Sequence, residues 1–266
     1  MGFCVGRLVS NFRRVIELGQ FPLLFAVAFA AGFVDSVAGG GGLITVPVLL
    51  SLGLDPRLAL GTNKLQAVFG SGSAAWHYAR AGVVSLRDCR RGCLITFIGA
   101  ALGTLLVQQV SRDFLLHTIP ILLLAVAAVL LFKPKMGAAD LPPRMGRGAF
   151  DLGFGLLLGG YDGFFGPGTG TFWAMAFMVG LGFNLTKATG HTKVMNFASN
   201  LSSLLVFLVA GQVLFVPGLV MGAGQWLGAR AGSRMVIRNG ARFIRPVFLA
   251  VVLALTAKLL FDAYGR

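Results

Sequence analysis

Apolar residues fall into long runs near 21–36, 42–54, 65–79, 93–111, 114–132, 148–165, 170–183, 194–210, 213–229 and 246–261, separated by short polar or basic connections. A bilayer crossing takes roughly 20 apolar residues per helix. The runs therefore predict an all-α polytopic membrane protein with about 8–10 transmembrane or half-membrane helices, several of them short or broken. The expected division is an N-terminal tail (1–20), a first membrane half (21–132), a basic linker loop (133–147) and a second membrane half (148–262).

Composition removes the alternatives. Only 12% of the 266 residues are charged and 56% are hydrophobic. A soluble domain carries about twice that share of charge. The formal net charge is +14, but the basic residues sit at segment ends, as the positive-inside bias places them. No basic stretch interleaved with aromatics is present, so nucleic-acid binding is not expected. The stretch after Arg13 and Arg14 imitates a secretory signal. Because apolar runs continue to Phe261, it reads as the first membrane segment. Cys4, Cys89 and Cys93 make no even framework and read as small apolar filler.

The two halves look alike. Asp35 and the glycines after it answer Asp162 and Gly166-Pro-Gly-Thr-Gly170. Ala59-Leu-Gly-Thr-Asn-Lys64 answers Ala188-Thr-Gly-His-Thr-Lys193. Gly99/Gly103 answers Gly224/Gly228, and Pro120 answers Pro246. Landmarks in one order at a near-constant offset imply a tandem duplication, a recurring build of secondary transporters. If each half crosses an odd number of times, the repeats are inverted. Fourteen Lys and Arg then lie on one side and six on the other, which suits the positive-inside bias better than the parallel arrangement.

Gly39, Gly40, Gly41 and Gly42, and in the second half Gly166, Gly168, Thr169 and Gly170, mark two expected helix breaks. A continuous helix tolerates that density of Gly and Pro poorly. The run at 42–54 would cover about 20 Å of a roughly 30 Å core. Close packing through small residues is the alternative reading, and it suits Gly99/Gly103 and Gly224/Gly228 better. A broken helix leaves N–H groups at the start of its second half, which attract anions.

Lys64 and Lys193 hold matching places, each expected just before a long apolar helix, with Thr62, Asn63, Thr192 and Asn196 beside them. A membrane lysine marks a functional site or snorkels to the interface; two at matching places favour function. Asp35 and Asp162 match as well. They are expected to pair within their own halves, Asp35 with Lys64 and Asp162 with Lys193, or to carry a coupling proton. No Ser–His–Asp set, H-E-x-x-H or Cys/His cluster is present, so no enzyme chemistry, cofactor or metal is expected.

Gly32-Phe-Val-Asp-Ser-Val-Ala-Gly-Gly-Gly-Gly-Leu-Ile-Thr-Val-Pro47, Leu60-Gly-Thr-Asn-Lys64, Asp162-Gly-Phe-Phe-Gly-Pro-Gly-Thr-Gly170 and Thr189-Gly-His-Thr-Lys193 resemble the TauE/SafE family of sulfite and organosulfur anion exporters. The similarity spans about residues 20 to 262. It implies a multi-pass permease of the bacterial inner membrane, with sulfite, sulfonates or related anions as cargo. The family's motif residues fall here on Asp35, Gly39 to Gly42, Thr62 to Lys64, Asp162, Gly166, Gly168 to Gly170, Thr192 and Lys193. Pro167 against Gly40 is the one asymmetry.

Together these features predict a secondary transporter of small anions, working by alternating access. The glycine breaks would supply N–H donors, the lysines charge, and Thr62, Asn63, Thr192 and Asn196 orienting hydrogen bonds. A passive anion channel is the alternative. The expected partners are the anion and the lipid bilayer; a coupling proton and a second copy of the chain stay open.

Overall fold

The computed structural model describes residues 16–131 and 139–240. The tail before residue 16, the basic stretch 132–138 and the predicted apolar run at 246–261 lie outside the described residues. Within them the chain is all-helical, a 3-10 turn at Leu18–Gln20 leading into nine α-helices. These are α1 (Phe21–Ala38), α2 (Gly41–Ser51), α3 (Pro56–Arg80), α4 (Arg90–Gln109), α5 (Arg112–Leu131), α6 (Arg147–Phe164), α7 (Thr169–Leu181), α8 (Leu185–Val209) and α9 (Phe215–Asn239). By length and composition, three of the described stretches can cross a membrane: Leu18–Ala38, Arg90–Gln109 and Leu185–Val209.

Two helices begin well before their apolar runs. The Asp55 carboxylate accepts from the Arg57 N–H at 3.0 Å, with Pro56 as first helical residue. The Asn184 side chain likewise accepts from the Lys187 N–H at 2.9 Å. Both are N-caps that satisfy orphan donors of a first turn. Lys64 and Lys193 therefore lie inside α3 and α8, each as the ninth helical residue, and not ahead of them as expected. Eight residues of rise put them about 12 Å from the helix start.

α1 and α2 form a hairpin. Gly39 (φ 74°) and Gly40 (φ 122°) turn the chain, a conformation open to glycine and unfavourable for other residues. Leu49 of α2 then returns to pack in one cluster with Leu24 and Ala28 near the start of α1. α6 and α7 form a second hairpin around Gly166 and Gly168, with Phe177 of α7 against Phe150 at the start of α6, ring centroids 5.0 Å apart. The two tips meet. A Cβ on Gly39 would lie 2.6 Å from the carbonyl carbon of Gly170, and the Thr171 hydroxyl donates to the Ala38 carbonyl at 3.1 Å.

Each hairpin is gripped by a helix from the other half of the chain. Gly224, Gly228 and Gly232 of α9 press on the backbone of α1 at Phe25, Phe29 and Phe33. Gly99 and Gly103 of α4 press on the backbone of α6 in the same way. Small residues permit this approach and make dispersion contact along the whole helix. The opposite faces, including Leu94, Ile98, Leu102 and Leu106 of α4 and Phe215, Val216 and Leu219 of α9, are exposed apolar surface suited to lipid. α3 and α8 pass between the hairpins and carry most of the buried polar residues among those described.

Candidate functional site

The site lies where the hairpin tips meet α3 and α8. Lys193, Asn196 and Asn200 are spaced i, i+3 and i+7 along α8, and so share one face. Asn63 and Lys64 approach from α3. Thr45 of α2 donates to the Asn63 carboxamide oxygen at 2.6 Å, and Gln66 donates to the same oxygen at 2.8 Å, fixing that side chain.

Both lysines are buried and both are paired. The Lys64 ammonium donates to Asp162 Oδ1 at 2.8 Å, to the Asp162 carbonyl at 2.5 Å and to Asn200 Oδ1 at 3.2 Å. Ser199 donates to the other Asp162 oxygen. The Lys193 ammonium donates to Asp35 Oδ2 at 3.1 Å, while Asp35 Oδ1 accepts from the N–H groups of Gly40 at 3.1 Å and Gly41 at 3.3 Å. This corrects the pairing expected from the sequence. Asp35 does not bridge Lys64, nor Asp162 Lys193; each carboxylate takes the lysine of the opposite half. Helix packing decides it. Each hairpin is clasped by the other half, so its tip faces the central helix that the other half supplies.

A cavity of about 30 Å³ opens between these groups, room for about two waters. Of the residues singled out by sequence, Asp35, Gly40, Gly41, Gly42, Asn63, Lys64, Asp162, Gly166, Gly168, Thr169, Gly170 and Asn196 line it. Gly39 lies outside, at the contact between tips. Lys193 reaches Asp35 from outside the lining. The Thr62 hydroxyl accepts from the Leu214 N–H at 3.0 Å, a helix-to-loop tie away from the cavity. The Thr192 hydroxyl is buried with no partner among the described residues. The wall also includes Ala67, Asn200 and Gln225, absent from the set chosen by sequence. Asn200 could have been added from its i+7 spacing to Lys193. Gln225, a single amide in a glycine-rich apolar helix, offered a weaker signal.

The donor balance favours a negatively charged guest. Among the described residues, the N–H groups of Gly168 and Gly170 at the start of α7 have no acceptor. Backbone amides at a helix start, with ammonium groups nearby, form an anion-attracting environment. No cluster of three or more metal-ligating side chains occurs among the described residues.

Apolar outer faces around a polar centre with buried, paired charges are the build of a membrane protein. The chain belongs to the TauE/SafE family. The family model described as "Sulfite exporter TauE/SafE" matches residues 24–259. The chain is 47% identical over 248 residues to the probable membrane transporter protein YfcA of Escherichia coli K12, covering 92% of this chain and 91% of the relative. It is also 47% identical over 247 residues to a probable membrane transporter protein of Haemophilus influenzae, covering 93% and 97%. The probable membrane transporter protein YunE of Bacillus subtilis is a more distant relative, 22% identical over 272 residues. No solved structure matches the chain. The relatives' names point to transport and away from enzyme chemistry.

Proposed function

We propose that the chain is a secondary transporter of small anions, with sulfite, a sulfonate or another organosulfur anion as cargo, working by alternating access between its two halves in a bacterial inner membrane. The observation that carries this reading is one small cavity lined by the Lys64 ammonium and two helix starts, with the buried Lys193 ammonium paired to Asp35 of its wall. Sulfur chemistry comes from the family alone; the geometry supports an oxyanion in general. The small volume and the ion pairs around it favour a carrier over a passive channel, which needs a continuous pore.

We also infer that the halves are inverted repeats. α1 and α6 are both 18 residues long, and α3 and α8 both 25. The first hairpin opens towards the end where the Asp55 and Arg112 side chains pair at 3.3 Å. The second opens towards the end where the Leu141 N–H meets the Gly182 carbonyl at 2.7 Å and Arg147 meets the Asp88 carbonyl at 3.3 Å. The second end carries the richer set of basic residues, and the positive-inside bias assigns it to the cytoplasm.

The test is flux into proteoliposomes of sulfite, sulfate, thiosulfate and sulfonates, with and without a pH gradient. Saturable uptake with counterflow, lost in Lys193→Ala, is expected for at least one anion. Flux that never saturates and shows no counterflow would point to a channel. Absence of flux for every anion would overturn the proposal.

A further inference from the structure

We propose that Asp35 is a tethered stand-in for the transported anion: its carboxylate occupies the oxyanion position at the start of α2 and must leave Lys193 before substrate binds there, so that one proton enters with each singly charged anion. This rests on the anion-transport reading above and deepens it.

The Asp35 carboxylate sits in the kind of cradle an oxyanion would use. One oxygen takes the Gly40 and Gly41 amides at 3.1 and 3.3 Å, and the other takes the Lys193 ammonium at 3.1 Å. Two amides at a helix start and an ammonium are a donor set for sulfate-like groups as much as for a carboxylate. The matching residue of the second half is held differently. Asp162 is bound by Lys64 and Ser199, and its side chain is 4% exposed against 15% for Asp35. It leaves the α7 start uncapped. One carboxylate is thus locked into the packing, while the other sits as a guest in a donor pocket.

A second observation points to a ligand in the same space. Asn196 and Gln225 both line the cavity and are 5% and 3% exposed, yet Asn196 Oδ1 and Gln225 Oε1 have no partner among the described residues. Buried amides left unpaired are costly, and native structures keep few of them. Both atoms are acceptors, so what they lack is a donor: a water that accompanies the anion, or the Asp35 carboxyl once it carries a proton, can supply one, and the anion itself cannot.

Charge neutrality supplies the proton. The titratable and charged groups facing Asp35 are Lys193 from α8, Lys64 from α3, Asp162 from α6 and the Tyr78 hydroxyl from α3, which donates to the Ser36 carbonyl at 2.9 Å. α2, α7 and α9 bring no charge to the wall. Two ammonium groups and two carboxylates sum to zero. Adding a monovalent anion leaves one uncompensated buried charge, which is strongly unfavourable. A proton taken from solution onto Asp35 restores neutrality and frees the two amides and Lys193. Because only the fraction of protein with Asp35 displaced is competent, the apparent affinity is reduced by that fraction.

The experiment is isothermal titration calorimetry of the detergent-purified full chain with sulfite, sulfate and methanesulfonate, comparing wild type, Asp35→Asn and Asp162→Asn. Asp35→Asn is expected to bind about tenfold tighter or better at neutral pH, and Asp162→Asn is not. Wild-type binding of methanesulfonate, a monoanion, should take up one proton per anion, read from buffers of different ionisation enthalpy, and Asp35→Asn should take up none. If Asp35→Asn does not fold, the wild-type proton count decides alone. Unchanged or weaker binding by Asp35→Asn, or no proton uptake by wild type, overturns the inference and leaves the transport reading standing. Binding of none of the three anions, with no flux in proteoliposomes, overturns both.

Discussion

Lys64→Met tests the crossed pairing directly. The ammonium makes three contacts, to Asp162 Oδ1 at 2.8 Å, the Asp162 carbonyl at 2.5 Å and Asn200 at 3.2 Å. Methionine fills a similar channel with a flexible apolar chain, so the main loss is electrostatic. What remains is a carboxylate only 4% exposed, with the Ser199 hydroxyl as its sole remaining donor among the described residues. Breaking a buried pair from one side costs about 3–5 kcal/mol. For a protein of this size each kcal/mol lowers Tm by about 2–4 °C, so the variant should melt roughly 6–20 °C below wild type. Adding Asp162→Asn removes the stranded charge and should recover most of that loss. Adding Asp35→Asn should recover nothing, because it strands Lys193 as well. The assay is thermal melting of detergent-purified protein followed by tryptophan fluorescence. Rescue by Asp35→Asn and not by Asp162→Asn would refute the pairing.

Three further outcomes follow from the geometry. Gly39→Ala combines a φ of 74° with a Cβ 2.6 Å from the Gly170 carbonyl carbon, whereas Gly53→Ala (φ 81°) meets nothing within 4 Å. Melting should therefore fall by well over the ~1 kcal/mol backbone cost in the first and by about that cost in the second. Thr62→Val orphans the buried Leu214 N–H, costing about 1–3 kcal/mol in melting and leaving anion affinity unchanged in calorimetry. Asp140 lies at the loop end, where hydrogen bonding from the Asn184 backbone N–H, chiefly, and the nearby Lys187 ammonium lower its pKa. A depressed carboxylate pKa contributes stability that is present above the unfolded value of about 3.9 and lost as pH falls through the folded value. Hydrogen exchange around 180–184 should accelerate below that range in wild type, while in Asp140→Asn it should already be fast at neutral pH.

Apolar runs locate most helices because a membrane segment announces itself by hydropathy. The run at 148–165 corresponds to α6 (Arg147–Phe164), and that at 114–132 to α5 (Arg112–Leu131). The runs fail at α3 and α8, whose first halves are polar because they face the protein centre and not lipid. Asp55-Pro56 and Asn184 were the cap signals that would have placed those starts. α9 continues to Asn239, ten residues past its apolar run, through Arg230, Arg234 and Arg238. A helix end at the basic face reads as a loop by hydropathy alone. The lysines and aspartates stood out as costly residues, but which carboxylate meets which ammonium depends on how the two halves interlock. Spacing along one half carries no information about that.

The exchange of partners between halves has a consequence for biogenesis. When the ribosome has delivered the segment up to α5, Asp35 and Lys64 are already in place, yet the groups that finally neutralise them arrive only with α8 and α6. Charge neutralisation as the finished fold arranges it therefore needs both halves present. A chain severed in the basic connector should mature only when both fragments are synthesised together.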